Sequence, residues 1–95
     1  MDTADFVIDF YYRENCHLCE RMQHDLESFL DRSGHRRHVR VTMKDIDDNK
    51  DWFTRFREYV PVLVLDGEEI CYYFFDEESV SDALSSNFPP GEVIE

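Results

Sequence analysis

The chain has 95 residues, 42% of them hydrophobic and 15% aromatic, which is enough for one buried core and too short for two. Ten Lys and Arg against 22 Asp and Glu give a formal net charge of -12, which opposes nucleic acid and anionic lipid as partners. No apolar run approaches the roughly 18 residues of a membrane span and residues 1–5 carry no basic leader, so the expectation is a cytoplasmic protein without membrane contact.

Residues 5–12 run through Phe6, Val7, Ile8, Phe10, Tyr11 and Tyr12, a strand's length of β-branched and aromatic side chains that predicts a first, buried strand. Asn15 then reads as a helix N-cap, its side chain placed to accept from free amides of the first turn. Leu18, Met22, Leu26, Phe29 and Leu30 recur at spacings of three and four, which predicts an amphipathic helix with these five on its buried stripe. Gly34 ends that helix in a left-handed conformation, and His35-Arg36-Arg37-His38 forms a basic connector near its negative end.

Val39, Val41 and Met43 alternate with Arg40, Thr42 and Lys44, a period of two that predicts a second strand, with Ile46 as its extension. Asp47-Asp48-Asn49 is a turn and cap cluster, and Trp52, Phe53, Phe56 and Tyr59 follow at helical spacing. Val60-Pro61 stops this short helix. Val62-Leu63-Val64-Leu65 is an apolar strand, Asp66-Gly67 a hairpin turn, and residues 69–75 its antiparallel partner. Asp76 caps a last helix with Glu77 and Glu78 at its positive end and Val80, Ala83 and Leu84 on its apolar face. Phe88-Pro89-Pro90-Gly91 predicts an irregular tail.

The element order is therefore βαβαββα, an α/β fold in a single domain spanning 1–95 with its core at about 6–87. The first strand-helix-strand unit implies a right-handed crossover and parallel pairing. Trp52, Phe53 and Phe56 read as core. Tyr72, Tyr73, Phe74 and Phe75 cannot all be buried, because successive strand residues face opposite sides, so some are expected at the surface, by a site or at a contact with another copy.

Chemistry concentrates at Cys16-His17-Leu18-Cys19, where the first strand gives way to the first helix. The helix N-terminus carries roughly half a positive charge, which stabilises a thiolate and lowers a cysteine pKa from its free value of about 8.5. Cys16, nearer that field, is the candidate attacking thiol. Cys19, one turn on, is placed to displace a mixed disulfide intramolecularly. His17 and Arg13 favour a thiolate nearby and Glu14 and Glu20 oppose it. Three cysteines are too few for a disulfide scaffold, which fits a reducing compartment. The alternatives are a redox-inactive binding module, half a zinc site, or a zinc or iron-sulfur site shared between two chains. Cys71 stands alone and His24, His35 and His38 show no ligand-pair spacing, so no metal site is assigned. Cys71 reads as a small buried hydrophobe.

The stretches Tyr11-Tyr12-Arg13-Glu14-Asn15-Cys16-His17-Leu18-Cys19, Asp45-Ile46-Asp47, Tyr59-Val60-Pro61-Val62-Leu63 and Asp66-Gly67 together resemble the glutaredoxin-like branch of the thioredoxin fold. The resemblance implies a central mixed four-stranded sheet flanked by helices and a dithiol-disulfide oxidoreductase. Cys16 and Cys19 would be catalytic. Arg13, His17, Val60 and Pro61 would contact substrate, with Pro61 a cis-proline facing the Cys pair, Val60 offering a strand-like backbone edge, and Arg13 at a position that in glutaredoxins helps hold a glutathione carboxylate. Read without the resemblance, Pro61 is a helix stop and Arg13 a surface arginine. No bound cofactor is implied. The implied partners are a disulfide-containing protein or a small thiol, with glutathione as a candidate co-substrate, and a reductase. Two departures stand out: His17-Leu18 lies between the cysteines where glutaredoxins usually carry Pro-Tyr, and Cys71-Tyr72-Tyr73-Phe74-Phe75 replaces the Gly-Gly and Asp that receive glutathione's γ-glutamyl end.

Overall fold

The computed structural model describes residues 5–86; the expected tail at 88–91 and the expected limit of the core at residue 87 lie outside them. The elements are β1 (Phe6–Tyr12), α1 (His17–Ser33), β2 (Val39–Asp45), α2 (Lys50–Phe56), β3 (Val62–Leu65), β4 (Glu68–Tyr72) and α3 (Glu77–Ser86). Single 3-10 turns at His35–Arg37 and Ile46–Asp48 flank β2. The four strands form one mixed sheet in the order β2-β1-β3-β4. β1 runs parallel to β2, from Phe6 opposite Val39 to Tyr12 opposite Asp45, and antiparallel to β3, with Phe10 opposite Leu63.

Strand alternation sorts the apolar residues into two layers. Phe6, Ile8 and Phe10 of β1 pack with Met22, Leu26 and Leu30 of α1 and Val80 and Leu84 of α3. Tyr11, Val62 and Val64 turn the other way and pack with Ile46 and Phe56, with Trp52 and Phe53 partly buried against them. The sheet is thus covered by α1 and α3 on one face and by α2 on the other. Each fully buried Leu, Phe or Val stabilises this arrangement by about 1.5–3 kcal/mol relative to exposure.

Local chemistry sets the boundaries. Gly34 ends α1 with φ 80°. Arg36 of the basic connector pairs with Asp31 and Glu27 of α1. Asn49 caps α2, its side-chain oxygen accepting from the Asp51 and Trp52 amides. Asp66 and Gly67, at φ 53° and 80°, make the two-residue left-handed turn that matches the twist of a hairpin. Asp76 accepts from the Ser79 amide at 3.2 Å and from its hydroxyl at 2.9 Å at the start of α3.

Five expectations are corrected. The cap of α1 is Cys16, not Asn15, which instead takes φ 59°, a conformation Asn tolerates better than most residues. Leu18 is off the buried stripe, because at 100° per residue Cys19 lies nearer the centre of the face made by Met22, Leu26, Phe29 and Leu30 and is buried there in its place. Ile46 leaves β2 for a 3-10 turn and is fully buried there. α2 ends at Phe56, short of Tyr59, and a turn in which the Tyr59 and Val60 amides donate to the Phe56 carbonyl follows. β4 ends at Tyr72, because Tyr73 adopts φ 67° and turns the chain out of the sheet. Among the described residues no helix is long and apolar enough to cross a membrane.

Candidate active site

β1, a central strand, ends at Tyr12, and the loop of Arg13, Glu14 and left-handed Asn15 redirects the chain into α1. Cys16 sits on the N-cap of α1 with extended backbone angles, φ -118° and ψ 108°. Its sulfur accepts from the Cys19 amide at 3.1 Å, and its carbonyl accepts from the Glu20 amide at 3.1 Å. The Cys16 side chain therefore occupies the place that Ser or Asp takes in most N-caps, facing amides with no partner inside the helix. Cys16 and Cys19 are joined as a disulfide, with Cα atoms 5.2 Å apart. The two cysteines differ in exposure: Cys16 is partly exposed and Cys19 is buried, at 4%.

One cleft contains this pair, and a second is lined by His17 and Leu18, the two residues between the cysteines. The first, about 260 Å³, is lined by Phe10, Tyr12, Arg13, Glu14, Cys16 and Glu20 among others, Cys19 included. Its polar wall is acidic. Tyr12 has its phenol pushed above the ordinary value, first by burial and then by the charges of Asp45, Glu14 and Asp48. Arg13 points Nε and Nη2 at the two Asp47 carboxylate oxygens, both at 3.2 Å, and its guanidinium lies 5.1 Å from the Phe53 ring centre. The second cleft is lined by His17, Leu18, Arg21, Asp25, Phe74 and Phe75. Phe75 is held against Phe29 at 5.8 Å, whereas Phe74 is 65% exposed.

The fold thus brings Arg13 into one cleft with the cysteines and His17 into the other. Val60 and Pro61 line neither. Their peptide bond is cis; Pro61 is buried, and its carbonyl accepts from the Tyr73 amide at 2.9 Å. The Val60 amide donates to the Phe56 carbonyl at 3.0 Å. Sequence reasoning missed Asp47 as Arg13's partner, separated from it by 34 residues, and missed Tyr12 as a cleft wall; of the aromatic run at 72–75, from which some side chains were expected at the surface by a site, Phe74 and Phe75 are the ones that line a cleft. Cys71, on β4, is half-buried against the main core rather than fully enclosed, and burial pushes its thiol up. Among the described residues no three His, Cys, Asp or Glu side chains converge as a metal site.

A family model described as "Glutaredoxin-like domain (DUF836)" matches residues 7–85. The solution structure of protein Ne2328 from Nitrosomonas europaea superposes with a TM-score of 0.71 at 28% identity, covering 83% of this chain and 91% of that one. Oxidised mitochondrial thioredoxin 3 from Saccharomyces cerevisiae superposes with a TM-score of 0.61 at 20% identity, over 90% of this chain and 81% of that one, a likeness of fold. A mutant thioredoxin from Halobacterium salinarum gives a TM-score of 0.57 at 25% identity, over 94% and 81% of the two chains. No curated protein matches in sequence.

Proposed function

The chain belongs to the glutaredoxin-like domain family, and on that premise we propose that it is a thiol-disulfide oxidoreductase in which Cys16 attacks and Cys19 resolves. The observation that carries this reading is the asymmetry of the pair: Cys16 is partly exposed and accepts a helix amide at its sulfur, and Cys19 is buried one turn along. In the reduced protein the same amide and the helix N-terminus favour negative charge on Cys16. The Cys16 thiolate attacks one sulfur of a substrate disulfide, that S–S bond breaks, and the departing thiolate takes a proton from solvent. Cys19, giving up its proton, then attacks Cys16, closing the protein disulfide and releasing the second substrate thiol. Two electrons pass from the protein dithiol to the substrate.

The substrate is a protein or low-molecular-weight disulfide, glutathione among the candidate co-substrates, with no bound cofactor. A reductase or small thiol returns the electrons, and the setting is the cytoplasm, without nucleic acid or membrane partners. Pro61 faces the Cys pair from its cis bond, and Val60 presents backbone to the bound substrate. Because the Val60 amide is committed to Phe56, the edge it offers is its carbonyl. His17 and Arg13 contact substrate from the two clefts.

The test is a redox titration of Cys16 and Cys19 in defined glutathione buffers, read by thiol labelling and mass. A reversible two-electron couple near the about -200 to -270 mV of glutaredoxins and thioredoxins is expected. A pair that will not oxidise, or that labels only after chelation, overturns the reading in favour of a redox-inactive or metal-holding module.

A further inference from the structure

Resting on the exchange reading above, the geometry points to a cationic polypeptide disulfide, not a glutathione disulfide, as the substrate of the Cys16–Cys19 pair. We infer that one flank of the pair receives a Lys or Arg beside the substrate cysteine and the other flank receives an apolar side chain.

The charged flank is the cleft of Tyr12, Arg13, Glu14 and Glu20. Glu14 and Glu20 are exposed and form no ion pair with any described residue. The cation in that cleft, Arg13, has its fork occupied by Asp47. The side-chain charges left unpaired in that cleft are therefore the two carboxylates of Glu14 and Glu20, and the chain as a whole carries -12. Glutathione brings two carboxylates and one ammonium, and its carboxylates need a free guanidinium or ammonium close to the sulfur. A lysine or arginine flanking a peptide cysteine meets the two unpaired carboxylates instead. Complementary charge of this kind raises the association rate and loses its effect as salt rises.

The apolar flank is built by the turn after β4. The Tyr73 amide is tied to the Pro61 carbonyl at 2.9 Å and the Tyr73 hydroxyl donates to the Glu58 carbonyl at 2.6 Å. These two bonds pin the left-handed turn, so Phe74 is held out beside Leu18, which is itself 38% exposed. The charges at the rim of this cleft, Arg21 and Asp25, pair with one another at 3.7 Å, which leaves His17 and the Leu18 and Phe74 surfaces to a partner. A tripeptide whose γ-glutamyl arm entered here would set its carboxylate against Phe74. An apolar side chain next to the substrate cysteine removes Phe74 and Leu18 from water.

The experiment uses pre-reduced protein as stoichiometric reductant of five disulfides: a peptide disulfide with Lys and Leu flanking cysteine, its Lys and Ser counterpart, its Glu and Leu counterpart, glutathione disulfide, and neutral dithiodipyridine. Quenched mass spectrometry reads the rates. The lysine peptide is expected to react about tenfold faster than the glutamate peptide at low salt, and faster than glutathione disulfide, with the ratio falling as salt rises. In E14Q/E20Q the lysine preference should collapse toward unity, and in F74S the advantage of Leu over Ser beside the cysteine should disappear. Equal rates for the two peptides at low salt, or glutathione disulfide reacting as fast as the lysine peptide, overturns the substrate assignment and leaves the exchange activity standing. Absence of reaction even with dithiodipyridine overturns the exchange reading itself, and the substrate assignment with it.

Discussion

Arg13 and Asp47 form a two-point pair, Nε and Nη2 each 3.2 Å from a carboxylate oxygen, which ties the loop before Cys16 to the turn after β2. A glutathione carboxylate would have to displace Asp47 to reach that guanidinium. Both side chains are exposed by more than 40%, so the pair itself contributes at most about 1 kcal/mol to stability. Asp47→Ala is therefore expected to raise the rate with glutathione disulfide several-fold, with a change of less than about 1 kcal/mol in urea unfolding. An unchanged rate would mean that Arg13 does not reach the substrate.

The two cysteines should separate by variant. Cys19→Ser keeps the attacking sulfur and removes the resolving one, so it is expected to accumulate a mixed disulfide seen as an added substrate mass. Cys16→Ser should accumulate none and lose exchange to background. An adduct retained in Cys16→Ser would reverse the assignment of roles.

Cys71 should be the slow thiol. Burial raises its pKa above the ordinary cysteine value of about 8.5, so little thiolate exists at neutral pH, and the thiolate is the reactive form. In the reduced protein, iodoacetamide at pH 7 should label Cys16 well before Cys71, and the gap should narrow as pH rises past 9. Equal labelling at pH 7 would show that the β4 thiol is open to reagent.

Stability should respond to acid through Asp76. Hydrogen bonds from the Ser79 amide and hydroxyl hold its carboxyl below the ordinary value of 3.8. The folded pKa is thus the lower one, so the contribution is complete above the unfolded pKa and is lost as pH falls through the folded value. Asp76→Ala is expected to lower the Tm by a few degrees at pH 7, with the difference from the parent chain shrinking below pH about 4. A difference independent of pH would rule out the carboxylate as its source.

The α1 contact with the sheet should dominate the core. Leu26 is fully buried in the main cluster, and Leu26→Ala is expected to cost about 2–5 kcal/mol, through lost burial and the cavity left behind. Met43, 40% exposed on β2, is the control: Met43→Ser should change stability by about 0.5 kcal/mol or less. Urea denaturation midpoints measure both.

Much of this architecture was legible in the chain because its signals are local. The alternation of Val39, Val41 and Met43, the spacing of Met22, Leu26, Phe29 and Leu30, and the Asp66-Gly67 turn are each decided within a few residues, and together they specify the βαβαββα order and the parallel and antiparallel pairings that follow from it. The Cys pair at the strand-to-helix junction was local in the same way. The cap of α1 fell to Cys16 and not Asn15 because several side chains near a helix start compete for one cap, and the path of the preceding strand chooses between them.

By itself, then, the sequence determined the order of elements, the apolar faces and the position of the two thiols, since backbone preference and hydrophobic periodicity act between near neighbours. Only the tertiary structure decided what surrounds those thiols. Asp47 meets Arg13 across 34 positions, the Val60 amide is committed to Phe56, and Phe74 is held out beside Leu18 by a turn that Tyr73 anchors to Pro61 and Glu58. Charge pairing and side-chain exposure depend on distances in space that sequence separation does not encode, and it is those distances that set which cation is free and which aromatic ring meets a partner.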